Sequence, residues 1–514
     1  MLSPHKILKR IFAVLAAGLL LASCLDKYPD DAIPADDAIS TVKAADQAVI
    51  GIYSAFRSSA LYSGYLTILP DLQCDLVYAV NGYSNTYGDI WRGELLATNS
   101  QITAVYGSLY GVIGQCNFAL EGMDKLRATL TDDDALDKLD QLYGEAYFAR
   151  ALCYSELIRL FCKDYVSDEQ AEKELGVVLR SKYSESEPLT RSSLKASYDF
   201  VLADLNRAAM RLRLEDDFSG AIYNTGYFNE YTVYALRARI ALYMRHWDEA
   251  VEYSSRVIDG KNANGQSWYT LSTAGQTVSS LGQSYYDYMW TSDNSTEIIW
   301  KVAFTTDSYG GALGTVFLNY DYLSFRPDYV PAQWVLSLYD SSDMRPSSFF
   351  ATITTGYEHA LTWPLLIKYL GNTSFQTLGI FHVSMPKVMR LSEQYLIRAE
   401  AYARQATPNY AKAAKDIATL RAARYAGYGG TPSMTAATAM QVIEEERVKE
   451  LFMEGFRLMD LKRWHKGFQR TPQTESLSNG SSLKVDADDP RFTWPIPRHE
   501  LESPGADIQP NESN

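Results

Sequence analysis

The sequence predicts a mainly α-helical protein, a tetratricopeptide-like helical scaffold carrying long irregular insertions and a few short strands. Three observations lead there. Apolar residues recur at helical spacing through most of 41–259 and again from Pro386 onward. Two segments share the small-residue helix, short turn and aromatic-x-x-Ala second helix of a tetratricopeptide repeat. They are Ala238-Arg239-Ile240-Ala241-Leu242-Tyr243 before Trp247-Asp248-Glu249-Ala250, and Ala399-Glu400-Ala401-Tyr402 before Tyr410-Ala411-Lys412-Ala413. Between them, 260–385 shifts to Gly, Ser, Thr, Tyr and β-branched residues, so the repeat units lie far apart and a scaffold with insertions is expected instead of a continuous solenoid.

Residues 1–23 read as a secretory signal peptide. His5, Lys6, Lys9 and Arg10 precede the apolar run Ile11 to Leu21, and Leu21-Ala22-Ser23 leads into Cys24. The run is about a dozen residues, short of the roughly 20 that a membrane-crossing helix needs. A leucine three residues before a cysteine, with small residues between, resembles the bacterial lipobox. Cys24 is therefore the expected lipidation site, and 24–40, with Pro29, Pro34 and closely spaced charges, reads as the tether. Removal of 1–23 takes away three cations and no acid, moving the formal charge from −14 to about −17. Such a surface argues against nucleic acid, whose phosphates demand Lys and Arg.

Four cysteines follow Cys24. Cys153 and Cys162 fall in one expected helix about 13 Å apart along its axis, too far for a disulfide. Cys74 with Cys116 has nothing to support it, and the six histidines show no metal-binding spacing. No disulfide, metal or cofactor is expected.

The first scaffold helix is expected from Thr41 to about Ser59, with Ala48, Ile52, Ala55 and Phe56 on one face. Residues 60–104 break the pattern with Gly64, Pro70, Gly82, Gly88 and Gly93 while holding Tyr62, Tyr65, Tyr78, Tyr83, Tyr87 and Trp91, and they read as an aromatic loop insertion. Helices at 105–128, 135–163, 191–214, 230–245 and 247–259 complete an N-terminal region spanning 41–259. In the loop-rich 260–385, Glu297 to Val302 reads as a short strand. The C-terminal region, 386–514, is helical again and closes through Phe492-Thr493-Trp494-Pro495-Ile496-Pro497.

Residues 443–464 read IEEERVKELFMEGFRLMDLKRW and are expected to form one helix. Arg447, Glu450, Glu454 and Arg457 then share a face, with Val448, Phe452, Phe456 and Met459 on another. Opposite charges three and four apart can pair along that face, which predicts a structural ion network locking the helix against its neighbours. Glu450 and Glu454 could be read as an acid and base pair, but flanking arginines would hold both ionised and leave no proton donor.

This stretch closely resembles the ER-x-x-EL-x-x-EG-x-R-x-x-DL-x-RW signature of the SusD/RagB family of outer-membrane nutrient-binding lipoproteins. Met389 to Ala401 resembles that family's RL-x-E-x-YLIRAEA helix, and Gly144 to Ala151 its GEA-x-F-x-RA helix. Leu338-Tyr339 with Asp343 and Arg345 resembles its LY-x(3)-D-x-R turn, and Pro495-Ile496-Pro497 its terminal PIP. Ser503-Pro504 and Gln509-Pro510-Asn511 depart from the usual tail. The resemblance covers nearly the whole mature chain. It implies a SusD-like helical body with the ligand site in inserted loops, tethered to the cell outer membrane and facing the exterior. It also implies a SusC-like TonB-dependent β-barrel partner, and an oligosaccharide, polysaccharide fragment or, in some members, a peptide as ligand.

The loop composition agrees with a glycan, since sugar C–H faces pack on aromatic planes and hydroxyls seek Asn, Asp, Arg and Gln. The candidate ligand-binding residues are Asp71, Asn81, Tyr83, Asn85, Tyr87 and Trp91 in the first loop region, and Tyr309, Tyr320, Tyr322 and Arg326 in the second, with Trp91 and Tyr320 the leading choices. A surface glycoside hydrolase would need two carboxylates roughly 5 to 10 Å apart in a cleft. No such pair is signalled, so a binding protein and not an enzyme is expected.

Overall fold

The apolar stripe after Thr41 becomes the Val42–Ala55 helix, which the Thr41 side chain caps and which buries Ala45, Val49 and Ile52. The computed structural model describes residues 38–80, 85–183, 189–214, 225–278, 280–357, 362–470 and 483–514. Cys24, Asn81 and Tyr83 lie outside the described residues. The two longest helices, Ser100–Arg127 and Asp133–Phe161, start at the side-chain caps Asn99 and Asp132. Lys125 and Arg127 sit at the C-terminal end of the first, and Asp133 and Asp134 at the N-terminal end of the second, each opposing the local dipole. From Leu142 to Phe161 the second helix is buried almost all round. The Ser100–Arg127 and Leu194–Ala209 helices cover it.

The two repeat units are neighbours in space. Glu230–Tyr243 pairs with Trp247–Ile258, Leu391–Arg404 pairs with Tyr410–Arg424, and Trp247–Ile258 packs on Leu391–Arg404. At the junction Ala238, Ala241, Leu242 and Ala250 meet Ile397 and Ala401. Side chains this small let the helix axes approach closely. Cys74, Cys116, Cys153 and Cys162 are buried free thiols.

The 443–464 stretch is two helices, Ala439–Glu450 and Arg457–Trp464. Between them Met453 and Gly455 take left-handed backbone conformations, with φ of 58° and 86°. A Cβ on Gly455 would also meet the Leu66 carbonyl oxygen at 2.7 Å, so the position requires glycine. Asp71, expected at the ligand, is fully buried beneath this turn, where its carboxylate accepts from Gly455 N at 2.9 Å and Arg457 N at 2.7 Å. It anchors the start of a helix and cannot reach a ligand. Burial pushes its carboxyl up to about 7, against those two backbone donors.

Arg447, Glu450, Glu454 and Arg457 do form buried ion pairs, but with other elements and not along one helical face. Arg447 reaches Asp460 at 2.7 Å, and Arg457 takes Asp75 at 2.8 Å and Glu444 at 2.9 Å. Glu454 takes Lys368 at 2.6 Å and Arg390 at 2.8 Å. Glu450 takes Arg390 and Arg424, both at 2.9 Å, and Arg345 at 3.2 Å. Arg345 and Lys368 belong to the inserted region, and Glu297 from the same region pairs with Arg390 and Arg424, so this part of the network ties the C-terminal helices to the insertion.

The described residues of 60–104 do not form an open loop. Tyr65–Leu72 is helical, Val77–Ala79 is a strand, and 66–80 are buried throughout. Strands elsewhere are equally short: Ile298–Lys301 pairs antiparallel with Lys387–Arg390, and Phe350–Thr354 with Thr362–Leu366. No described helix is long and apolar enough to cross a membrane.

Candidate ligand-binding surface

One small ladder brings the two aromatic regions together. Val77–Ala79 pairs antiparallel with Tyr329–Pro331, extended by Val80 N donating to Asp328 O at 2.9 Å. Thr86 N donates to the Asp328 carboxylate, and the Tyr329 hydroxyl donates to Thr86 O at 2.6 Å. Burial raises the Asp328 carboxyl despite the bonds from Thr86. Tyr87 follows with a left-handed φ of 62°, half-buried, its ring edge-on to Tyr65 at 5.6 Å.

From the other side, Gly311 N donates to the Ser63 hydroxyl at 3.0 Å, seating 309–311 against the end of the first scaffold region. A Cβ at Gly310 would strike the Phe304 ring and the Arg57 carbonyl at 2.5–2.6 Å, so that approach depends on glycine. Half-exposed Tyr309 lies 6.2 Å from the Phe375 ring.

Residues 319–326 project as a tongue. Tyr320 and Phe325 form an antiparallel bridge, and the Asp321 carboxylate accepts from Leu323 N at 3.1 Å and Ser324 N at 2.9 Å, closing the turn. These backbone donors, with Arg326, hold the Asp321 carboxyl below its ordinary value. Tyr322 takes φ 71° at the tip and is 90% exposed; Tyr320 is 49% exposed. Arg326 is paired to Asp321 at 2.6 Å and stands 6.0 Å from the Tyr357 ring. Tongue and flank present tyrosine faces, a carboxylate and a guanidinium to solvent, which is the chemistry a hydroxyl-rich ligand needs.

Of the expected ligand residues, Tyr320, Tyr322 and Arg326 stand exposed on the tongue, Tyr309 is exposed beside Phe375, and Tyr87 is half-buried next to Thr86, which bonds Asp328. Trp91 is a correction. It is fully buried, its indole N–H donates to Val77 O at 3.3 Å, and its ring lies under the Arg470 guanidinium at 4.1 Å. Asn85 is also buried, its carbonyl accepting from Gly88 N. Both belong to the packing that supports the ladder. Sequence reasoning passed over Tyr65, Tyr357 and the exposed Leu378 and Phe381. Gly371 and Gly379, both at positive φ, flank Leu378, and Phe381 follows two residues later; these glycines were the available signal of an exposed turn.

The family model described as SusD family matches residues 347–505, and a second, described as starch-binding associating with outer membrane, matches 24–242. The chain belongs to the SusD/RagB family. A SusD-like protein P2 from Formosa agariphila is 24% identical over 254 residues, 49% of this chain and 46% of that protein, so the match spans about half the relative's length. Among solved structures, a SusD superfamily protein from Bacteroides thetaiotaomicron has a TM-score of 0.75 at 23% identity, covering 92% of this chain and 99% of that one. A SusD-like carbohydrate binding protein from Bacteroides vulgatus has a TM-score of 0.70 at 19% identity, covering 91% and 98%. The fold is therefore the SusD fold.

Proposed function

We propose that this protein is a surface lipoprotein of the outer membrane that binds an oligosaccharide or polysaccharide fragment on the 319–326 tongue and passes it to a SusC-like TonB-dependent transporter. The observation that carries the binding reading is the tongue itself. Tyr320, Tyr322 and Leu323 stand exposed together on it, Tyr322 at a left-handed φ, and a contiguous exposed group of this kind supports an interaction site. The carbohydrate reading draws on the starch-binding description of the N-terminal family model and on the B. vulgatus relative. The transporter partner follows from family membership. Binding without turnover is supported by Glu450 and Glu454, the carboxylate pair that spacing suggests, being consumed in buried ion pairs.

Soluble protein lacking residues 1–24 is expected to bind a maltooligosaccharide or another member of a neutral glycan panel and release it unchanged. Tyr322→Ala and Tyr320→Ala are each expected to weaken binding by on the order of 1 kcal/mol, about fivefold, with the melting temperature unmoved. Calorimetric titration and thermal melts of the two variants check this. Unaltered affinity in both, or products of glycan cleavage, would end the proposal.

Anchoring rests on the sequence around Cys24, and Cys24→Ala is expected to leave a folded protein that no longer sediments with membranes. The measurement is made in cells lacking the proposed barrel partner. Persistence in the outer-membrane fraction after a high-salt wash contradicts lipidation.

A further inference from the structure

A recess of about 280 Å³ opens between the Val42–Ala55 helix, the Asp133–Phe161 helix and the chain entering the Glu230–Tyr243 helix. It shares no lining residue with the tongue. We propose that it is a second ligand site, one that takes a single neutral sugar ring or a polyol of similar size.

Size sets the first bound. At about 280 Å³ the recess lies just below the roughly 300–1,000 Å³ of pockets for drug-sized ligands, a size that matches a single ring.

The lining chemistry selects the class. At the floor Glu145 is 4% exposed, and it accepts from the Gln141 side chain at 3.1 Å and from the Tyr53 hydroxyl. Tyr53 in turn accepts from Phe228 N at 2.9 Å. Two carboxylate oxygens offer about four acceptor positions, so these neighbours leave part of the group's capacity to an occupant. Burial raises the Glu145 carboxyl to about 7, so near neutral pH both forms are present and a hydroxyl can find either an acceptor or a donor there.

One wall is apolar and open. Tyr227, 52% exposed, stands edge-on to Tyr53 at 5.3 Å, and Ile50 is 49% exposed beside it. These supply a face for the C–H side of a ring. At the rim Lys138 pairs with Asp46 at 3.2 Å, and Arg213 completes the lining. Lys138 and Arg213 stand against Asp46 and a partly protonated Glu145, so no strong charge of either sign faces an occupant, which favours a neutral ligand over an anion or an amine.

The test is saturation-transfer NMR on soluble protein lacking residues 1–24, with D-glucose and D-galactose as neutral probes and glucuronate and glucosamine as charged ones. Variants are Tyr227→Ala, Ile50→Ser and, as a control on the tongue, Tyr322→Ala. Tyr227 and Ile50 are half-exposed, and thermal melts verify that their variants fold. Transfer to at least one neutral sugar is expected to exceed that to both charged probes. It should fall at least fivefold in Tyr227→Ala and Ile50→Ser and persist in Tyr322→Ala. Three results would overturn the proposal: no transfer to either neutral sugar, transfer unchanged in either recess variant, or transfer lost in Tyr322→Ala. The last would place the sugar on the tongue and leave the proposed function standing, so the two readings fail separately.

Discussion

Glu450→Gln is expected to destabilise the folded protein by about 3–5 kcal/mol, the cost typical of removing one partner from a buried ion pair. Glu450 is fully buried and serves three guanidiniums: Arg390 and Arg424 at 2.9 Å on one oxygen, Arg424 at 3.0 Å and Arg345 at 3.2 Å on the other. Neutralising it leaves those cations to share Asp343, Glu297, Glu446 and Glu454, and turns an amide N–H₂ toward groups that only donate. The exposed i,i+4 pair Glu169–Lys173 is the control, where Glu169→Gln should change stability by less than about 0.5 kcal/mol. Urea unfolding midpoints measure both, and a Glu450 effect below about 1 kcal/mol would mean the network does not pin the fold.

Acid gives the same substitution a second reading. Burial alone would raise the Glu450 carboxyl, yet Arg424, Arg390 and Arg345 hold it well below the ordinary carboxylate value. Glu446, opposed by burial in the same way, is held to about 2 by Arg345, Lys449 and Arg421. A depressed carboxylate contributes stability that is present above its unfolded value of about 4.3 and is lost as pH falls toward the folded one. Wild type should therefore lose stability between about pH 5 and pH 2, and Glu450→Gln should lose less over that window. Asp71 and Glu145, both raised to about 7, act in the opposite sense: their contribution is complete below about pH 4 and gone by about pH 7.

The motif residues that made the family legible are the residues of this network and its surroundings. Asp343 and Arg345 of the turn, Arg390 and Glu393 of the 389–401 stretch, Arg150 of the 144–151 stretch, and Glu450, Glu454 and Arg457 are all buried in ion pairs. Their chemistry is fixed by the scaffold, so sequence reveals the scaffold readily and the ligand poorly. Helices were legible for the same reason: the apolar stripes at 42–55, 100–127 and 133–161 face one continuous core. The break at 451–456 was not, because Val448, Phe452, Phe456 and Met459 keep helical spacing across it. Only contact with Asp71 and the Leu66 carbonyl makes Gly455 a turn. In 60–104, Gly64 signalled a loop but serves a close approach, since a Cβ there would fall 2.1 Å from the Ser59 carbonyl oxygen. Pro70 sits inside a helix. The tongue was readable because its turn is local, closed by the Asp321 side chain two and three residues ahead.

Trp91→Ala is expected to cost about 3–5 kcal/mol of stability and to lower expression, although Gly88 and Gly93 on either side suggest an exposed loop. The ladder decides otherwise. With Val77–Ala79 paired to Tyr329–Pro331, the indole is enclosed by Tyr78 at 6.0 Å and Tyr329 at 6.4 Å and roofed by the Arg470 guanidinium. Arg470 is buried, and desolvation pulls its pKa down to about 10, so it relies on the Trp91 ring face and on the carbonyls of Gln73 and Trp91 for what solvation it has. Truncation would open a cavity and strip the π face from a buried cation. Trp91→Phe keeps a face and most of the volume and should cost less than half as much. Tyr322→Ala should show the reverse pattern, with the melting temperature unchanged and the ligand held about fivefold more weakly. If Trp91→Ala instead melts like wild type and loses affinity, the indole is a binding platform after all, and the packing of the 77–79 ladder against Arg470 is wrong.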